Sequence, residues 1–183
     1  MQLFYKQIYL IYYGGIFYEE SNRKGFTLVE LVVVIAIIGI LAAILVPTMM
    51  NYVKKSKLKS ANSNAKLVYT TVNNQAADLI VDGVVIDDTC GQGSDDSGAE
   101  ISGMADAGTT GAAQLKNAVY EALKDNGSKA GYCLYVISDK GEVKLAQWAS
   151  DSAGSTMLGQ YPDPATDADS AVGKSFSTTK VTF

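Results

Sequence analysis

The chain predicts an α+β fold in which a long N-terminal helix packs on a small antiparallel sheet. Three observations carry that prediction. Residues 31–47 form an unbroken apolar run, from Leu31-Val32-Val33-Val34 to Leu45-Val46-Pro47. Behind it, Leu58, Ala61, Ala65, Val68, Val72, Ala76 and Leu79 recur at spacings of three and four, which lines one face of a helix. Far downstream, residues 131–138 and 142–148 are rich in β-formers and flank Asp139-Lys140-Gly141, the pattern of a hairpin. A helix with one apolar face needs a partner layer, and the strand region is the candidate large enough to supply it.

The first element is a membrane segment. Between Lys24 and Lys54 there is one charged side chain, Glu30. At about 1.5 Å per residue, roughly 20 helical residues cross the hydrocarbon core of a bilayer, so residues 26–50 are long enough. A carboxylate near the start of such a segment is costly unless something compensates it. Cleavage after Gly25 would create an α-amino group at Phe26, one helical turn from Glu30. That amine and a carboxylate can pair within a subunit or between neighbours where water is excluded.

The stretch Gly25-Phe26-Thr27-Leu28-Val29-Glu30, with the apolar helix after it, resembles the class III signal of type IV prepilins and pseudopilins. The resemblance covers residues 23–57 closely and fades beyond them. It implies that a membrane prepilin peptidase cuts between Gly25 and Phe26 and N-methylates Phe26, with Glu30 as the determinant of methylation and assembly. Gly39 and Pro47 fall where many pilins carry helix-weakening residues. An ordinary secretory signal would instead end in small residues after a short apolar core. Here the basic-glycine step precedes the apolar core, so the helix is kept when the leader is lost.

Residues 1–25 are therefore expected to be a removed leader. Such leaders are usually short and basic, whereas Leu3-Phe4-Tyr5 and residues 8–13 are apolar and aromatic. That departure favours a later translation start; no second methionine precedes Met49, so a shorter product needs another start codon. Charge flanks both ends of the segment and does not set its orientation. The resemblance supplies it: N-terminus in and C-terminus out, a single-pass membrane protein before assembly into a cell-surface filament. The implied partners are the peptidase/methyltransferase, membrane lipid, the inner-membrane assembly machinery and other pilins, as a homo- or hetero-oligomer.

Cleavage leaves 158 of 183 residues, with 12 basic and 17 acidic side chains. This acidic balance argues against nucleic-acid binding by the domain. The basic residues concentrate in Lys54, Lys55, Lys57 and Lys59, read as a solvated or headgroup-level collar. The chain has no histidine, which excludes Ser-His-Asp and Cys-His nucleophiles and histidine-ligated metals. No constellation for catalysis, cofactor or metal emerges, and the chain reads as a non-enzyme.

Residues 26–53 are the transmembrane and assembly helix. It is expected to be one continuous helix whose weak link lies between Gly39, which costs about 1 kcal/mol relative to alanine, and Pro47, which removes a hydrogen bond; in a filament that segment could unwind. Residues 54–183 form the head. Its amphipathic helix, residues 54–82, ends near Asp82-Gly83 with the glycine as cap. Residues 83–111 are glycine- and aspartate-rich and are expected to be a surface loop, with residues 84–86 as a short edge strand. The aspartates Asp87, Asp88, Asp95 and Asp96 match no calcium-loop spacing and read as solvated acid. Within residues 112–183, Thr109 or Thr110 caps a short helix over residues 112–126, and antiparallel strands follow. Residues 150–174 return to loop composition, and residues 175–183 are expected to add a last strand with Val181 and Phe183 on one face.

Cys90 and Cys133 lie 43 residues apart. In an oxidising exterior they can form a disulfide worth roughly 4 kcal/mol; the alternative is free thiols, with Cys133 a buried core residue. The pattern departs from pilins whose two cysteines bracket a C-terminal loop, so no adhesive loop is carried over. The function implied is a structural subunit of a type IV pilus-like filament. Two alternatives stand beside it. One is a pseudopilin of a type II secretion or competence apparatus, although the Tyr-Pro-Thr step such proteins carry is absent and Tyr161-Pro162-Asp163 lies far downstream. The other is an adhesin whose Trp148 and Tyr161 stack on sugars; their alternative role is core packing.

Overall fold

A computed structural model of the chain describes residues 25–86, 98–104, 108–126, 130–138 and 140–183. It divides into two units, one ending at Ile44 and one running Leu45–Phe183. The elements are a 54-residue helix α1 (Leu28–Val81), strand β1 (Ala99–Glu100), a 3-10 turn (Ile101–Met104), helix α2 (Gly111–Leu123), strands β2 (Tyr132–Ile137), β3 (Val143–Ala149) and β4 (Gly159–Tyr161), and a single-turn helix α3 (Ala168–Ala171). Residues 1–24 of the leader lie outside the described residues.

In the first unit the large apolar side chains, from Leu28 and Val29 to Ile40 and Leu41, are exposed. An 18-residue window of α1 has a mean hydropathy of 3.1, and α1 is the one described helix long and apolar enough to cross a membrane. The helix continues through Gly39 and Pro47 without a break.

The second unit is built on the distal part of α1. The seven residues that recur at three and four, Leu58 through Leu79, are the buried residues of the helix. Each Leu or Val buried this way contributes about 1.5–3 kcal/mol relative to exposure. The helix ends where glycine permits it. Gly83 has φ +74°; its N–H bonds to Ile80 O (3.1 Å), and the Val84 N–H reaches back to Leu79 O (2.9 Å). This double closure of the last turn is a Schellman motif, with Val84 and Leu79 meeting in the core.

The four-stranded sheet is antiparallel throughout, in the order β1-β2-β3-β4. Alternation along β2 divides its side chains between two faces. Cys133, Tyr135 and Ile137 join Val68, Val72, Leu115 and Val119 beneath α1 and α2. Leu134 joins Leu158 and Phe176 on the opposite side. A smaller cluster of Leu58, Ala61, Met157, Ala165, Ala168 and Ala171 closes the lower end of this unit. Thr110 caps α2, accepting from the Ala113 N–H.

Four expectations are corrected. Residues 84–86 form no strand; β1 is Ala99–Glu100, paired with Tyr132 and Cys133. The glycine- and aspartate-rich stretch is not wholly surface loop, because Ile101 and Met104 are buried. Residues 150–174 contain β4 and α3. Residues 175–183 form no strand, for a specific reason. The buried Gln160 side chain takes both backbone groups of Val181, accepting its N–H at 2.8 Å and donating to its carbonyl at 3.1 Å. A side-chain amide thus occupies the place of a neighbouring strand, while Val181 and Phe183 pack inward. The Cys90–Cys133 bridge is not seen. Cys133 is a free thiol that burial pushes up to about 12, and Cys90 lies outside the described residues.

Candidate functional site: the start of the apolar helix

Gly25 and Phe26 precede the first turn of α1 as non-helical chain. Phe26 is 89% exposed, and no atom lies within 4 Å of where a Cβ on Gly25 would stand.

Thr27 and Glu30 then start the helix. Thr27 Oγ1 accepts the Glu30 N–H at 3.3 Å, and Glu30 Oε2 accepts the Thr27 N–H at 2.8 Å. The Thr27 hydroxyl donates to the same Oε2 at 2.8 Å. This is a capping box, a Thr-x-x-Glu pair that satisfies two amide donors an α-helix leaves open at its start. The carboxylate also sits at the positive end of the helix dipole. Glu30 therefore has a role within its own chain as well as the implied pairing with a Phe26 amine. The Thr-x-x-Glu spacing ahead of an apolar run carries this signal in the sequence.

Gly25 and Phe26 lie in the non-helical chain just ahead of α1, and Glu30 lies in the first turn of that helix. Gly39 and Pro47 lie along the apolar helix; a Cβ on Gly39 would meet nothing within 4 Å. Beside Pro47, which has no N–H to donate, the Thr48 hydroxyl donates to Leu45 O at 2.9 Å. At the head, Lys54 reaches Asp169 of α3 at 2.7 Å, and that carboxylate raises the ammonium above its ordinary range. Among the described residues no group of histidine, cysteine, aspartate and glutamate is arranged to hold a metal.

The aromatics considered for sugar stacking are engaged inside the head. Trp148 packs against the core clusters and donates its indole N–H to Ala130 O at 2.8 Å. Tyr161 meets the edge of Tyr69, with ring centroids 4.8 Å apart, and carries Lys66 Nζ 5.7 Å from its centre.

Residues 21–46 match a family model described as the prokaryotic N-terminal methylation motif. Over 51 residues the chain is 51% identical to the type IV major pilin protein PilA of Myxococcus xanthus (strain DK1622), covering 28% of this chain and 23% of that relative. It is 42% identical over 59 residues to the type IV major fimbrial protein FimA of Dichelobacter nodosus, covering 32% of this chain and 38% of the relative. The match to a fimbrial protein of Dichelobacter nodosus goes beyond the helix: 33% identity over 126 residues, 66% of this chain and 79% of the relative. The chain belongs to the type IV pilin family. It spans less than two fifths of the length of the first two relatives. No solved structure matches it. For this pilin, the residues of the capping box and the exposed Gly25–Phe26 bond fall inside the matched methylation motif.

Proposed function

We infer that this pilin is a structural subunit of a type IV pilus-like surface filament. It is cleaved after Gly25 by a prepilin peptidase, N-methylated at Phe26 and assembled through its apolar helix. It is a membrane-anchored single-pass protein before assembly, N-terminus in and C-terminus out, and lines a filament afterwards. The observation that carries this reading is the exposure of the large apolar side chains from Leu28 to Val53. Water is a poor environment for such a surface, and lipid or copies of the same helix would cover it.

Glu30 then gives assembly its register. Both of its internal hydrogen bonds fall on Oε2, and among the described residues Oε1 takes no donor. A neighbour's Phe26 ammonium can approach that oxygen without dismantling the capping box, and an unpaired charge among packed apolar helices is strongly penalised. Gly39 and Pro47 bracket the segment most readily unwound when helices pack against one another. Substituting Glu30→Ala should leave cleavage largely intact and weaken methylation or assembly; normal filaments from that variant would overturn the role. Electron microscopy of sheared surface fractions separates a pilus, with long filaments containing this chain, from a pseudopilus of a secretion or competence apparatus. The engagement of Trp148 inside the head weighs against sugar binding through that ring.

A further inference from the structure

The boundary between the apolar helix and the head carries a second surface. It rests on the reading of the chain as a membrane-resident subunit. Within the unit Leu45–Phe183, the helix first presents exposed Leu45, Val46, Met49, Met50 and Val53. Tyr52, 75% exposed, stands at the end of that apolar stretch. Four lysines follow at once, Lys54, Lys55, Lys57 and Lys59, and the first buried residue of the head is Leu58. Aliphatic, then aromatic with a polar tip, then ammonium is the order in which a bilayer passes from hydrocarbon to headgroup.

The four lysines are not equivalent. Lys54 is committed to Asp169 at 2.7 Å. Lys55, Lys57 and Lys59 are exposed and form no ion pair among the described residues. At 1.5 Å of rise per residue the three occupy about 6 Å of depth, and at 100° per residue they spread around the solvent side of the helix. Their methylene stems let the ammonium groups settle at headgroup level. The chain as a whole is acidic, with a net charge of −4, so attraction to an anionic surface has to come from a local concentration of this kind.

We propose that Lys55, Lys57 and Lys59 bind the headgroups of anionic phospholipids in the leaflet from which the head emerges, with Tyr52 seated at the same interface. The subunit in the membrane then gathers a shell of acidic lipid, and that shell is released when the subunit leaves the bilayer.

The test uses the full-length chain in phosphatidylcholine vesicles that carry spin-labelled phosphatidylglycerol or spin-labelled phosphatidylcholine. The fraction of label immobilised at the protein reports the relative association of each lipid. Wild type favours phosphatidylglycerol by roughly fivefold for lipid beside a lysine, and about 0.5 M NaCl weakens the preference. The variant K55Q/K57Q/K59Q loses the preference, and K55R/K57R/K59R keeps it. Equal association of both lipids with wild type, or an unchanged preference in the glutamine variant, overturns the proposal. So does loss of the preference on adding duplex DNA that remains bound, because the cluster would then be a general polyanion site. Release of the chain from vesicles by alkaline carbonate overturns the membrane-resident reading itself, and the proposal with it. Insertion without lipid preference overturns the proposal alone.

Discussion

Thr27 and Glu30 exchange hydrogen bonds across the first turn of the apolar helix, each side chain accepting the other's backbone N–H, at 3.3 and 2.8 Å. The pair fixes where the helix begins, two residues beyond the Gly25–Phe26 bond. Thr27→Val removes the hydroxyl and with it two of the three contacts. An N-cap side chain is worth about 1 kcal/mol, so amide exchange at Glu30 and Leu31 should rise roughly fivefold. Hydrogen–deuterium exchange of the full chain in nanodiscs measures this; unchanged exchange would show that the box does not hold the turn.

Gly159 of β4 lies against the backbone of α1. A Cβ there would stand 2.2 Å from the Ala61 carbonyl carbon and oxygen, neither of which can move without moving the helix. Asn62 secures the same contact, its Oδ1 accepting the Gln160 N–H at 3.4 Å. Gly159→Ala should destabilise the head by about 1–3 kcal/mol, the usual cost of overpacking. Denaturant unfolding of the detergent-solubilised chain, followed by Trp148 fluorescence, gives the value. A variant as stable as wild type would mean that the sheet and helix can separate at no cost.

Gln147 and Gln160 are fully buried and joined by a 3.0 Å amide hydrogen bond. Gln147 Oε1 also accepts the Ser177 N–H at 2.9 Å, so the two glutamines together fasten the C-terminal segment at Ser177 and Val181. Gln160→Met keeps the approximate volume and strands buried donors at about 1–3 kcal/mol each. The expected result is a clear loss of stability together with tryptic cleavage at Lys174 and Lys180 under native conditions. Resistance equal to wild type would contradict the fastening role.

Asp151 organises the turn after β3. Partial burial raises its carboxyl, but hydrogen bonds from Thr156 and Ser155 outweigh that and lower it from 3.8 to about 2. Its oxygens take the Ala153, Ser155 and Thr156 N–H groups at 2.9–3.1 Å. Because the folded value is depressed, the stabilisation is present above pH about 4 and is lost as the pH falls towards 2. Asp151→Asn should lower the melting temperature at pH 7, with the gap to wild type narrowing as the pH falls from 4 towards 2. A gap as wide at pH 2 as at pH 7 would assign the effect to something other than ionisation.

Long-period features were legible in the sequence because many residues report them together. Seven apolar positions at helical spacing named the buried face of α1, Gly83 named its end, β-forming composition named β2, and alternation named β3. Short elements were not legible, since the two residues of β1 and the three of β4 cannot show a period. The absent C-terminal strand has a different cause: its β-like composition is real, but Gln160 satisfies the Val181 backbone in place of a strand. At the site, Gly25, Phe26 and Glu30 stood out through one acid in a long apolar stretch. Thr27 gives no signal of its own, because its role appears only when it is paired with Glu30.

On the proposed function the chain is cut before Phe26 and the freed, methylated amine enters the assembled helix bundle. Mass spectrometry of the N-terminus of protein sheared from the cell surface tests it directly. The account predicts a 158-residue chain beginning with N-methylated Phe26. Surface protein that still carries residues ahead of Phe26, or that begins with an unmodified phenylalanine, would contradict it.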